Sequence, residues 1–178
     1  MHNKIPAIFT FISDFKKEEI LKLNKDIGII YRNYKEEYKK NKILEIKKFC
    51  RSNNRKFYLA NNIRLAISLD LDGVYIPSFV KIIGMQGYSL RKDFLIIGSA
   101  HNIYEIKNKE KQKVEIIFLS PLFKTKNYKK GLGVIKYNLL SLLSRKKDIA
   151  LGGINKKNIK KLKLTNAYGF SGISYFFN

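Results

Sequence analysis

One cysteine, Cys50, is too few for an internal disulfide or a multi-cysteine metal site. It falls in a helical pattern, where packing is its expected role. Long apolar runs are missing too. No stretch approaches the ~20 residues of a membrane span, and Lys16 and Lys17 interrupt the apolar run near the start, which spoils a signal-peptide shape. Low-complexity linkers are absent, so a single domain over residues 1–178 is expected. A reducing, cytoplasmic location is the matching expectation.

Acid is scarce. Fourteen Asp and Glu stand against 36 Lys and Arg, a formal charge of +22. That balance invites a nucleic-acid partner. Two features argue against it. Only six basic residues are Arg, and Lys is scattered along the whole chain beside abundant Asn and Ile. A phosphate-reading surface would cluster its basic residues and favour Arg for bidentate contacts. The charge therefore reads as compositional, although it would still concentrate small anions around the protein.

What is present is a core. Hydrophobic residues make up 45% of the chain and aromatics 13%. Short apolar runs alternate with charged helical stretches. Strands are expected at Ala7–Ile12, Ile27–Tyr31, Phe57–Ala60, Gly73–Ile76, Phe94–Gly98, Val114–Leu119, Ile149–Leu151 and Gly169–Gly172. Helices are expected at Lys16–Leu23, Glu36–Cys50, Ile63–Leu69, Asn102–Lys109, Tyr137–Ser144 and Asn158–Leu164. Phe79–Lys92 is ambiguous, since Gly84 and Gly87 weaken a helix there. Several strands are apolar on both faces, which fits a parallel sheet covered by helices. Eight such units predict an α/β fold, a (β/α)8 barrel. At 178 residues it is a short form, below the roughly 200 to 250 usual for the fold, with the last helix expected to be missing.

In such barrels ligands bind at the C-terminal ends of the strands. Those ends carry Arg32, Asn61, Asn62, Ser99, His101, Thr125, Gly152, Gly153 and Ser174. Gly152 and Gly153 allow an anion close to the backbone at the start of the next helix. The alternative is a plain tight turn. Ser171 to Ser174 form a second small-residue turn, and the loops after strands seven and eight often build a phosphate site. Arg32 could grip a phosphate or pair with Glu36 or Glu37. His101 could act as a base or cap the next helix. Thr125 lies in a basic loop with Lys124, Lys126, Lys129 and Lys130, which could also be a solvated surface. Asp72 looks like a turn residue.

The chain resembles the thiamine phosphate synthase and thiazole tautomerase (TenI-like) superfamily. The carriers are IIYRNYK (29–35), YLANNIRLA (58–66), DGVYIPS (72–78), IIGSAHNIYE (96–105), FLSPLFKTKNYKKGLG (118–133), ALGGIN (150–155) and GFSGIS (169–174), in that order over nearly the whole chain. The resemblance implies an enzyme that joins an aminopyrimidine diphosphate to thiazole phosphate. It would place thiazole phosphate on Gly152, Gly153, Ile173 and Ser174 beside Thr125 and Lys129, and the pyrimidine near Arg32, Asn61, Asn62, Ser99 and His101. Arg32, Ser99 and His101 are then the candidate catalytic residues.

The departures concern the metal. In the synthase pattern two Asp residues hold magnesium. Here the first position falls in Asn61-Asn62, and Tyr75-Ile76-Pro77-Ser78 has no acid near the second. Neutral groups in place of both carboxylates should weaken magnesium binding severely, so no metal ligand is assigned. Pro77-Ser78 and Gly98-Ser99-Ala100-His101 look more like the tautomerase branch. Yet that branch's base is a His after strand six, where this chain has Pro121. The expected partner is thus a small phosphorylated thiazole or thiamine compound. A homo-oligomer through Tyr175, Phe176 and Phe177 is a further expectation, since these rings lack a covering final helix.

Overall fold

The structure, a computed structural model, describes residues 5–35, 37–81 and 87–177. Eight parallel strands close into a barrel in sequence order: β1 (Ile8–Ile12), β2 (Gly28–Tyr31), β3 (Phe57–Ala60), β4 (Gly73–Ile76), β5 (Leu95–Ala100), β6 (Ile116–Leu119), β7 (Lys147–Leu151) and β8 (Gly169–Ser171). β8 pairs back onto β1 through Ile8–Phe170 and Phe9–Ser171. Outside lie α1 (Lys17–Leu21), α2 (Lys40–Ser52), α3 (Ile63–Ser68), α4 (Ile103–Lys111), α5 (Gly133–Leu143) and a 3-10 helix at Ile159–Leu164.

The strands are apolar on both faces because both faces are buried. Alternate residues point to opposite sides of a strand. One set, with Phe9, Phe11, Ile30, Tyr58, Tyr75, Ile97, Ile116, Phe118 and Ile149, fills the barrel. The other, with Ile29, Leu59, Val74, Ile96, Ile117 and Ala150, packs under the helices. The filling is aromatic. Phe118 touches Phe9, Phe11 and Tyr75 at ring-centroid distances of 5.1, 6.1 and 5.7 Å. An eight-stranded barrel has an interior just wide enough for side chains, so the ligand end is the rim.

Several boundaries differ from the sequence reading. α2 begins at Lys40, not Glu36, because Tyr38 leaves the helix to pack on Tyr31 at 5.6 Å. β5 runs on through Ser99 and Ala100, which are buried strand residues rather than loop. α5 starts at Gly133, before the expected Tyr137, and Ile159–Leu164 is 3-10 rather than α-helical. Asp72 does more than turn the chain. Its carboxylate accepts from the Phe57 N–H at 3.0 Å and the Lys56 ammonium at 2.8 Å, tying β3 to β4. Of the ambiguous Phe79–Lys92 stretch, residues 82–86, including Gly84, lie outside the described residues.

Cys50 is buried in the main core, and burial pushes its thiol up to about 12. After β8 the chain makes one turn, with Phe176 and Phe177 N–H groups bonded to the Ile173 carbonyl. Phe170 packs on Tyr175 at 5.1 Å, and Tyr175 on Phe176 at 4.9 Å. Phe170, Phe176 and Phe177 also rest on the core. The aromatic tail thus finds part of its cover within the chain. Among the described residues no helix is long and apolar enough to cross a membrane.

Candidate functional site

All strands run the same way, so their C-terminal ends share one rim, and every candidate residue sits there. The rim divides into two halves.

The first half is built by the segments after β6, β7 and β8. Gly152 and Gly153 have φ of 97° and 69°, a region L side chains rarely adopt. Space forbids a side chain as well. A Cβ on Gly152 would meet Pro121 Cβ at 2.7 Å, and one on Gly153 would run into the Lys124 carbonyl. The Gly153 carbonyl is tied back by the Asn158 amide at 2.7 Å. The N–H groups of Gly153 and Ile154 find no acceptor among the described residues, and neither do those of Ile173 and Ser174. Unpaired N–H groups at such turns suit an anion. Lys124, Thr125, Lys126, Asn127, Gly153, Ile154, Asn155 and Ser174 line a groove of about 670 Å³.

Within this half two expectations shift. Lys129 does not line the groove; Lys124 and Lys126 do. The Thr125 hydroxyl accepts from the Tyr128 N–H at 3.1 Å, while the Thr125 N–H donates to the Tyr128 carbonyl at 3.0 Å. Thr125 therefore shapes the loop as well as lining it. The loop is further fixed by Leu122 and Phe123 N–H groups donating to the Leu151 and Gly152 carbonyls at 2.7 and 3.0 Å.

The second half is built by the segments after β2 to β5. Arg32 follows β2, with its guanidinium 4.3 Å from the Phe11 ring centroid and 5.9 Å from Tyr34. Arg32 has no carboxylate partner among the described residues; Glu36 lies outside them. Tyr75 stands below in the barrel, close enough to Ser99 and Arg32 for both to act on its hydroxyl. Burial raises the Tyr75 hydroxyl, and Ser99 and the Arg32 charge oppose that shift. Arg32 and Ser99 are thereby brought together on a tyrosine that sequence reasoning took only as a place where acid was missing. The signal for it was its inward register in β4, between Val74 and Ile76.

Asn61 is exposed, with φ of 55°. Asn62 caps α3, its side-chain oxygen accepting from Leu65 N–H at 3.0 Å, so only its amide nitrogen remains for a ligand. Both line a second groove of about 550 Å³ with Asn33, Tyr34, Glu37, Tyr38 and Phe79. Burial raises the phenols of Tyr34 and Tyr38, the latter to about 12. Tyr34 and Phe79 meet edge to face at 6.1 Å across this groove.

His101 bridges the halves. Its ring nitrogen Nδ1 lies 2.6 Å from the Ser120 carbonyl, which can only accept. Nδ1 therefore carries a proton, and the other nitrogen, Nε2, holds the lone pair in the neutral ring. Tyr128 covers the ring at 5.7 Å. Capping of α4 falls to the neighbours instead. Asn102 accepts from the Glu105 N–H at 3.0 Å, and Glu105 accepts from the His101 N–H at 2.7 Å.

Glu37 is the one carboxylate among the described residues that line either rim groove. No group of three His, Cys, Asp or Glu able to hold a metal occurs among the described residues.

Comparison with known proteins places the chain in a family. Residues 18–176 match the family model described as thiamine monophosphate synthase. The chain belongs to the thiamine monophosphate synthase family. A relative from Aquifex aeolicus is 31% identical over 168 residues, covering 92% of this chain and 78% of the relative. The thiamine-phosphate synthase of Prochlorococcus marinus is 34% identical over 129 residues. That match covers 67% of this chain, which spans only 35% of the length of that relative. Among solved structures, thiamine phosphate pyrophosphorylase from Pyrococcus furiosus superposes with a TM-score of 0.72. It covers 95% of this chain and 86% of that one at 17% identity, a likeness of fold.

Proposed function

We propose that this family member binds a phosphorylated thiazole or thiamine compound, with its phosphate on Gly153, Ile154, Ile173 and Ser174. The observation that carries this reading is the groove itself. The segments after two neighbouring strands, β7 and β8, carry backbone N–H groups without a partner among the described residues, beside one space rimmed by Lys124 and Lys126. A phosphate there gains charge-assisted hydrogen bonds without needing a metal. Calorimetry with thiazole phosphate, thiamine phosphate and inorganic phosphate tests it. Saturable binding is expected, and no binding at millimolar ligand would sink it.

The aminopyrimidine diphosphate would enter the other half. Arg32 is the cation placed to support negative charge developing on a leaving diphosphate, lying over the Phe11 ring with Tyr34 beside it. Ser99 lies beside Tyr75, and His101 stands at the end of the same strand, β5. Magnesium, which the family implies, would supply charge neutralisation of the diphosphate when bound. The donors on this side are one carboxylate, Glu37, with Asn33, Asn61, the Asn62 amide and phenols, a poor set for a hard dication that favours several carboxylates. An assay with both substrates and magnesium decides whether coupling occurs.

One observation favours a second reading, metal-free isomerisation of a phosphorylated thiazole. The Ser120 carbonyl holds His101 in one tautomer with Nε2 as the acceptor, the arrangement a proton shuttle needs. Under this reading His101→Ala abolishes isomerisation while leaving the melting temperature within a few degrees. Retained activity would remove it.

A further inference from the structure

Lys109 on α4 is completely buried. It lies in the run KNKEKQK, which reads as a solvated helix surface. Its ammonium donates to three neutral oxygens: the Pro77 carbonyl at 2.7 Å, the Val80 carbonyl at 2.8 Å and the Gln112 side-chain oxygen at 2.9 Å. Gln112 in turn donates to the Val80 carbonyl at 2.9 Å, and the Val80 N–H donates to the Pro77 carbonyl at 3.2 Å. One turn after β4 is thus gripped from beneath at both its ends.

The chain gives up apolar packing to allow this. Burying an ammonium with no carboxylate against it is expensive, and a leucine would be cheaper. Burial lowers the ammonium to about 8, and the one opposing influence is Glu105, on the same helix. The stem also needs room. A Cβ on Gly98 of β5 would come within 2.9 Å of Lys109 Cδ and 3.0 Å of Val114 Cγ1. Glycine at 98 opens the path from α4 to the rim.

The gripped turn carries Phe79. Phe79 stands between the two held carbonyls, lines the groove with Asn61 and Asn62, and meets Tyr34 at 6.1 Å. Tyr34 lies against Arg32. We infer that Lys109, with Gln112, is a positioning residue that fixes the Phe79 wall of the second groove and so sets what binds beside Asn61 and Asn62. This rests on the reading of that groove as the aminopyrimidine side. A fully hydrogen-bonded network of this kind specifies one conformation, whereas an apolar contact would tolerate several.

The test compares Lys109→Met with the parent chain through two readouts. Hydrogen exchange at the Val80 amide should accelerate about tenfold or more, for loss of charged hydrogen bonds, while Ala150 in β7 stays protected. Affinity for aminopyrimidine diphosphate should fall about tenfold, with thiazole phosphate affinity unchanged. A merely structural lysine would weaken both ligands together. Unchanged exchange at Val80, or equal loss for both ligands, overturns the inference. Should Lys109→Met fail to fold, Gln112→Leu removes one of the bonds to Val80 and should show the same pattern at smaller size; unchanged Val80 exchange there is equally fatal. If the parent chain binds neither ligand, the proposed function falls, and Val80 exchange alone then decides the role of Lys109.

Discussion

The two halves of the rim recognise by different means. After β6 to β8 the donors are backbone N–H groups, held by glycines that cannot be replaced and by turns that close on themselves. After β2 to β5 the groups are side chains: one arginine on an aromatic ring, a buried tyrosine, two asparagines and a Phe79 wall held from beneath. A backbone site depends on conformation and tolerates change in surrounding side chains. A side-chain site can be rebuilt residue by residue.

The largest expected effect breaks the backbone half. Gly153→Ala forces a side chain into the Lys124 carbonyl at a φ of 69°. The strain is worth about 1–3 kcal/mol. Thiazole phosphate affinity by calorimetry should drop ~10- to 100-fold, with a lower melting temperature and little change at Arg32. The next effect breaks the side-chain half. Arg32→Ala removes the cation over Phe11 and a partner of Tyr75. Aminopyrimidine diphosphate should bind about tenfold more weakly, with thiazole phosphate unaffected. If both ligands weaken together, the halves are not separate.

Lys124→Ala combined with Lys126→Ala should cost only a severalfold loss of phosphate affinity, because both are exposed and screened. The salt dependence of binding should flatten in parallel. A separate effect, on stability rather than on binding, is a dependence on pH. The Lys109 ammonium titrates near 8 when folded and near its ordinary 10.5 when unfolded. The unfolded chain therefore holds more protons between these values, and stability should rise as pH climbs from about 8. Denaturant titration should show that rise in the parent chain and not in Lys109→Met.

The barrel was readable because its strands announce themselves. Phe57–Ala60 and Gly73–Ile76 are apolar on both faces and bounded by Asn and Asp, and both have the expected limits. The end of β5 was hidden because Ser99 and Ala100 are small, and small residues at a rim look like loop. ALGGIN and GFSGIS were visible as turns, and their meeting in one groove follows from barrel closure, which places β7 beside β8. Lys109 was invisible. Nothing in KNKEKQK separates a lysine that runs under its helix along the outside of β5 from its solvated neighbours, since the difference lies in Gly98 and the carbonyls of Pro77 and Val80. Tyr75 was misjudged for a similar reason. The missing acid drew attention, and the hydroxyl that gathers Arg32 and Ser99 did not.

The central claim is that the phosphate sits on backbone between β7 and β8. A crystal structure with thiazole phosphate bound tests it most directly. The account predicts phosphate oxygens within hydrogen-bond distance of the Gly153 and Ser174 N–H groups. A phosphate seated on Arg32, with the Gly153 groove empty, would contradict it.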